Sequence, residues 1–397
     1  MYRHWAQPRE DWRRTIERQG MTFPTTKLDG GGEVPYWNEA AMYEFSTAEI
    51  DHLESATADL HTMSVEATKF LLTGAMGDLG LPAGTLEMAQ RSLDSKAPSL
   101  YGRFDLAYDG DSPAKLLEYN ADTPVTLIET AVIQWHWLND KFPNTDQWNS
   151  VHEDLVKQWR RIWPHLRSRV VHIADMGEDA PNEDIMTAGY LMDTAVQAGL
   201  TTKHVALPDI GYDRAHQEFV DEEYERIDVI YKLYPWSDML WEPFGEIVIA
   251  DPDLCQWIEP PWKVVMASKA LLPALWHLYP NHENLLPAYF NSADGLTDWV
   301  AKPLHGREGD GIVIRAPGVR VGPADRLDED DYVYQKWCPL PDFDGNHPVI
   351  GSWVIGGRPA GIGIRESDGW ITDFYSRFVP HVIDAPRPSD PELDPLT

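Results

Sequence analysis

Residues 46 to 72 read STAEIDHLESATADLHTMSVEATKFLL, with Ile50, Leu53, Leu60 and Met63 returning at helical spacing. Ser46 and Glu49 stand at the separation of a capping box, so a long amphipathic helix is expected to start there and pack on a larger body. Residues 1–100 as a whole read as mainly helical. The period then changes. LYGRFDLAYD and AKLLEYN alternate like strands around the turn-rich GDSP, which predicts a hairpin. Thr123 then caps an expected helix with Pro124 at its first position, running through VTLIETAVIQWHWLN. A further helix, EDLVKQWRRIW, stops at Pro164.

Residues 169–250 alternate between the two periods: RVVHIAD as strand, EDIMTAGYLMDTAVQAG as helix, then TKHVAL and ERIDVIYKLYP as strands. That is α/β layering. VVMASKALLPALWHLY reads as a helix opening near Ser268, with Pro273 either kinking it or lying in its first turn. Residues 298–315 and 331–379 are rich in strand patterns joined by glycine turns, and APRPSDPELDPLT reads as a flexible tail over 381–397. No internal repeat is present.

Composition narrows the function classes. The 397 residues, 43% hydrophobic and with 17 tryptophans, suffice for a large packed core. With 33 basic against 64 acidic residues the net charge is -31, which opposes a nucleic-acid backbone. The acidic surface either solubilises the chain or draws in a cationic substrate such as a polyamine. Two cysteines, Cys255 and Cys338, are too few for a disulfide framework and point to a reducing compartment. The N-terminus has no apolar signal region, and no run of about 18 apolar residues occurs, so a soluble cytoplasmic protein without a membrane role is expected.

The hairpin carries the candidate chemistry. Facing residues of an antiparallel pair keep a constant index sum, so Asp105 is expected opposite Glu118 and Arg103 opposite Asn120, all four on one face if no bulge intervenes. Phe104, Leu106, Leu117 and Tyr119 are then expected to face the core. Adjacent carboxylates repel and need a cation; an Asp, Glu and Asn oxygen set suits Mg²⁺ or Mn²⁺, and a nearby arginine suits a phosphate or oxyanion. The alternative is a solvated face on which Arg103 pairs with one acid. WVAKPLHGREGDGIVIR places Lys302 at a strand end before a loop holding Gly306, Gly309 and Gly311, a pattern that offers phosphates a cation and backbone N–H groups, or is a plain turn between strands. Lys269 adds a charge beside Ser268; YVYQKWCPLP reads as a strand entering a hinge for an adenine edge; GSWVIGGRPAGIGIRES brings Arg365 to a strand end.

Together, RFDLAYDGDSPAKLLEYNADTP, ASKALLPALWHLYP, VAKPLHGREG, YQKWCPLP and the IRES stretch resemble, in order, the amide-ligase half of the glutathionylspermidine synthase family, over roughly residues 100–380. The resemblance implies an α/β (α+β mixed) ATP-grasp-like ligase fold in permuted motif order, metal-ligand strands before lysines. A single unit is implied over 1–380: a helical region 1–100, the hairpin and an α/β substrate subdomain over 101–260, and the lysines, loop and strands over 261–380.

It further implies that Asp105, Glu118 and Asn120 hold two Mg²⁺ on ATP, that Arg103 stabilises the transferring phosphate, and that Arg365 is catalytic. Lys269 and Lys302 would contact phosphates under a mobile cover of Gly306, Arg307, Glu308 and Gly309. Gln335, Lys336 and Trp337 would line the adenine slot, with Thr123 beside the acid substrate. The implied reaction joins a small-molecule or peptide carboxylate to an amine through an acyl-phosphate. No cysteine precedes Cys255, so the amidase activity of bifunctional relatives is not expected. The alternatives are a nucleotide-binding regulator or scaffold, and a small-molecule kinase.

Overall fold

The computed structural model describes residues 1–28, 30–177, 182–323, 327 and 332–384. Its centre is a five-stranded antiparallel sheet in the order Arg377–Val379, Arg358–Ser367, His347–Ile355, Tyr101–Ala107, Lys115–Asn120. The helix Thr47–Leu72 lies across one face. The Ser46 side chain accepts from the Glu49 N–H while the Glu49 carboxylate accepts from the Ser46 N–H, so the expected capping box starts it. Its buried stripe includes Ile50, Leu53, Leu60 and Met63. Strand alternation supplies the matching surface: Phe104, Leu106 and Tyr119 point into this core, where the Phe104 and Tyr119 rings stack at 3.8 Å.

Two further sheets flank the centre. A parallel sheet ordered Gln256–Ile258, Val229–Lys232, Val170–Asp175, Thr201–Ala206 carries the helix Asn182–Gln197, which is the α/β layering expected from the alternating periods. A second antiparallel sheet is ordered Ala288–Phe290, Tyr332–Lys336, Trp299–Pro303, Val313–Ala316, Val319–Val321. Lys115–Asn120 is the edge strand of the central sheet, and an edge exposes unpaired backbone groups. Here the edge is sealed: Leu116 N–H donates to the Asn284 carbonyl, and the Leu116 and Leu117 carbonyls accept from Gln335 and Lys302 of the second sheet.

Several expectations need correction. The described residues among the first 45 hold four short strands and one seven-residue helix, Trp12–Arg18, with AMYEF pairing with YRHW on one side and with His381–Ile383 on the other. The tail therefore starts later than residue 381, and 385–397 lie outside the described residues. The helix expected from Thr123 begins at Leu127, since Asp122, Val125 and Thr126 are held by partners elsewhere and Thr126 adopts a left-handed φ of 71°. The segment around Ser268 is two helices, Lys263–Ala267 and Leu271–Leu278, separated where Ser268 becomes extended. Pro273 sits in the first turn of the second, where its missing N–H has no intrahelical partner to lose.

The hairpin contains a bulge. Arg103 faces Asn120 and Asp105 faces Glu118 as expected, but the register shifts after Asp105, so Leu106 faces Leu116. Leu117 is the extra residue. It turns toward the cavity side against Ala107, Leu340 and Val349, while Leu116 takes its expected place in the core. Replacing Ser46 by alanine removes one arm of the capping box and is expected to lower stability by about 1 kcal/mol in urea denaturation; an unchanged midpoint would mean that packing alone starts the helix.

Candidate active site

On the face of the central sheet opposite the long helix, the hairpin presents its charges together. Arg103 Nε donates to Asp105 Oδ1 at 2.8 Å, and its Nη1 reaches the Val125 carbonyl and Thr126 Oγ1. Arg365, from the neighbouring long hairpin, donates to Asp105 Oδ2 at 2.6 Å. Gly351 lies between them in the sheet, directly opposite Asp105; a Cβ there would come within 2.9 Å of Arg103 Cδ, so the absent side chain makes room for the guanidinium. Asn120 Nδ2 donates to Glu118 Oε1 at 2.9 Å, and Lys269 Nζ lies 3.0 Å from Glu118 Oε2.

Burial would raise the Glu118 carboxyl, but Lys269 and Lys302, with the Asn120 hydrogen bond, hold it well below the usual carboxylate range. Lys302 is pushed down to about 8 by burial, partly offset by the charge of Glu118. Its Nζ donates to the Leu117 carbonyl at 2.7 Å and to Gln335 Oε1 at 2.9 Å. The Gly-rich loop after Lys302 closes one side. Glu308, Gly309 and Gly311 have φ of 50°, 76° and 69°, a left-handed path that glycine makes accessible. Lys269 donates to the Gly306 carbonyl at 3.1 Å, and Arg307 pairs with Asp238.

The fifteen residues to which the resemblance gives site roles all line this one cavity: Arg103, Asp105, Glu118, Asn120, Thr123, Lys269, Lys302, Gly306, Arg307, Glu308, Gly309, Gln335, Lys336, Trp337 and Arg365; Gly311 of the same loop does not. They arrive from separate parts of the chain, which a solvated hairpin face or a plain turn would not require. Apolar side chains complete it: Val300, Ile312, Ile314, Leu340 and Trp370 shape a slot beside Trp337. One detail differs from the hinge reading. The N–H groups of Lys336 and Trp337 are donated to the carbonyls of Pro287 and Asp298, so neither is left for a base edge.

Two groups of residues were missed in the sequence. Asp122, at the cavity wall, binds the fully buried Lys232 ammonium at 2.8 Å and accepts the Trp236 N–H at 2.6 Å. It thereby ties the loop after Asn120 to the parallel sheet. Asp122 is legible in the NADTP stretch, but Lys232 inside a strand pattern gives no signal of its own. The second group lies behind Thr126. Glu183 accepts the Thr126 N–H at 3.1 Å, and buried Glu129 accepts the Tyr36 hydroxyl at 2.7 Å while its Oε2 has no partner. Burial, then Glu129 and Asp184, push Glu183 up to about 8; burial, then Asp175 and Glu308, push Asp184 up to about 6. Such crowded acids suit a cation.

The donor set Asp105, Glu118 and Asn120 fits a hard divalent ion: it is all oxygen, it stands on one face, and its present neutralisation comes from side chains able to re-pair with phosphate oxygens.

A family profile described as glutathionylspermidine synthase pre-ATP-grasp matches residues 3–384. A Haemophilus influenzae protein carrying the provisional name acid–amine ligase is 38% identical over 87% of this chain and 90% of its own length. The bifunctional glutathionylspermidine synthetase/amidase of Escherichia coli is 26% identical over 90% of this chain, which spans 61% of that protein. The trypanothione synthetase of Crithidia fasciculata is 29% identical over 70% of this chain and 46% of its own length. Among solved structures, a glutathione synthetase-like effector from Globodera pallida in its apo form superposes with a TM-score of 0.57 at 10% identity, covering 94% of each chain. That likeness concerns the fold alone, which the two chains share over nearly their whole lengths.

The Asp122–Lys232 pair gives a stability test. Lys232→Met leaves a buried carboxylate unpaired and is expected to cost about 3–5 kcal/mol, whereas Asp122→Asn with Lys232→Met is expected to regain at least half of it. Equal urea midpoints for the single and double variants would show that the charge pair does not hold this wall.

Proposed function

Because the chain belongs to the glutathionylspermidine synthase family and is a carbon–nitrogen ligase, we propose that it condenses a carboxylate with an amine at the hairpin cavity, using ATP. The observation that carries this reading is the convergence of Asp105, Glu118, Asn120, Lys269, Lys302, Arg103 and Arg365 on one cavity, beneath a Gly-rich loop.

A carboxylate is a poor electrophile and must be activated. In this reading Asp105, Glu118 and Asn120 hold Mg²⁺, which when bound neutralises the triphosphate and orients its terminal phosphate. Lys269 and Lys302 bind phosphate oxygens, and the slot beside Trp337 takes the base. Thr123, with the loop that Asp122 anchors, places the acid so that its carboxylate oxygen attacks the γ-phosphate, giving an acyl-phosphate and ADP. Arg103 and Arg365 stabilise the negative charge that develops on the phosphate and then on the tetrahedral carbon's oxygen. The 305–311 loop covers the acyl-phosphate and keeps water from it.

The second substrate is cationic until it reacts. Glu183 and Asp184, crowded with Glu129 behind Thr126 and next to the cavity lining at Val125, would receive its ammonium on the Arg103 side. The ammonium's charge favours the ionised form of these acids, and once ionised they can accept a proton as the neutral amine attacks the acyl carbon and phosphate leaves. The acid and amine are a peptide or other small carboxylate and a polyamine or amino acid.

A screen of peptides and amino acids against amines, reading ADP release with products identified by mass, tests the reaction. A product joining both substrates with loss of water supports the ligase; phosphate added to one substrate indicates a kinase, and ATP binding without turnover indicates a regulator. Asp105→Asn and Glu118→Gln are each expected to lower ADP formation by at least about 10²-fold while the fold and melting temperature persist; wild-type turnover in either sinks the metal assignment. Glu183→Gln is expected to raise the amine KM by roughly 10- to 100-fold with the ATP KM nearly unchanged, because a charge-assisted contact is worth about 1.5–3 kcal/mol.

A further inference from the structure

A cleft of about 580 Å³ lies between the end of the helix Thr85–Asp94, the turn 95–98 and the segments around residues 165–167 and 252–257. It shares no lining residue with the ligase cavity. Four basic side chains line it, Arg91, Lys96, His165 and Arg167, against the single carboxylate of Asp253. On a chain of net charge -31 that balance is inverted. Asp253 is taken by Arg167, whose Nη2 lies 2.8 Å from its Oδ1 and whose Nη1 donates to its carbonyl. Arg91 makes a 3.4 Å contact with the Ile249 carbonyl, and among the described residues neither Arg91 nor Lys96 pairs with a carboxylate.

The floor of the cleft is polar as well. Ser92 and Trp257 also line the cleft, each more than nine-tenths buried, and neither Ser92 Oγ nor Trp257 Nε1 has a hydrogen-bond partner. Buried polar atoms without partners are rare and costly, and both of these can donate. Both atoms lie beneath the cleft floor without exposed surface; the groups that face the cleft are Arg91 and Lys96, without carboxylate partners, beside Arg167, a set complementary to a multiply charged anion.

We propose that this cleft is a second, anion-binding site that takes a compact polyanion bearing phosphate or carboxylate groups, held by Arg91, Lys96 and Arg167. The site borders the machinery without entering it. Pro261 of the cleft wall is two residues before the helix Lys263–Ala267, whose Val264 and Ala267 line the ligase cavity and which leads to Lys269.

The test reads the cleft locally in the full chain. The Trp257 indole N–H resonance, assigned with Trp257→Phe, is followed while sodium tripolyphosphate or, separately, citrate is added at low salt. In the wild type the resonance is expected to shift saturably. In Arg91→Glu with Lys96→Glu the midpoint should rise at least about tenfold, and in Lys302→Met it should stay where it is. Both reversed residues are exposed, so the melting temperature should hold; Lys96→Glu alone serves if the double variant fails to fold. A response to tripolyphosphate only assigns a phosphate ligand, to citrate only a polycarboxylate, and to both a site that reads charge. An unmoved resonance with both probes, or a midpoint indifferent to the charge reversals, overturns the proposal.

Discussion

Asp105 and Glu118 stand opposite each other on adjacent strands, and the structure around them answers their repulsion. At an effective dielectric of about 20, two like charges 4 Å apart cost about 4 kcal/mol, more than most single contacts supply. The protein does not relieve this by protonating Glu118, whose affinity for a proton is lowered. It surrounds the pair instead: Arg103 and Arg365 on Asp105, Lys269 and Asn120 on Glu118. Arg103 and Asn120 stand on the acids' own strands, but Arg365 and Lys269 come from other parts of the chain, which must dock before the carboxylates are fully neutralised. Charge balance at one site is thus a folding constraint on the sheets that meet there.

The bulge in the hairpin shows how the docking is achieved. An extra residue in one strand releases carbonyls from the ladder. Those of Leu116 and Leu117 accept from Gln335 and Lys302. The same defect that turns Leu117 toward the cavity therefore fixes the second sheet against the edge of the first and sets the height of Lys302 beside Glu118. On the other flank, Asp122 and Lys232 perform the equivalent task for the parallel sheet, with the Trp236 N–H as a third partner. A buried ion pair of this kind contributes little net stability, but it fixes geometry, since either charge left alone is strongly disfavoured.

What the sequence made legible follows from the range of each interaction. The hairpin pairing depends on alternation and a local turn, so Arg103 opposite Asn120 and Asp105 opposite Glu118 could be read from position alone. The capping box of Ser46 and Glu49 is equally local. Leu117 was misplaced because a bulge has no period. The N-terminal strands were hidden because YRHW is stabilised by AMYEF some forty positions later, and that strand in turn by His381–Ile383. Lys232 and Glu129 were invisible for a different reason: each sits in an ordinary strand or helix pattern, and only the fold reveals that its neighbours are Asp122 or Tyr36. The gathering of the lysines at the hairpin was carried by family resemblance, since no spacing rule connects residues 118 and 302.

The present pairings also bear on how such a site can receive a nucleotide. Lys302 donates to a carbonyl and an amide oxygen, and burial pushes it down to about 8 in spite of the charge of Glu118. A phosphate placed there would raise its proton affinity again, so binding and protonation of Lys302 reinforce each other. Arg365 and Lys269 are instead matched to carboxylates, and a divalent ion taking over Asp105 and Glu118 would free both cations toward phosphate oxygens within the same cavity. Exchange of partners at nearly constant charge needs little movement of the backbone. In the proposed reaction the hairpin and its flanking sheets would stay fixed while the loop of Gly306, Arg307, Glu308 and Gly309 would close, since its tether to Asp238 is an exposed ion pair of small worth.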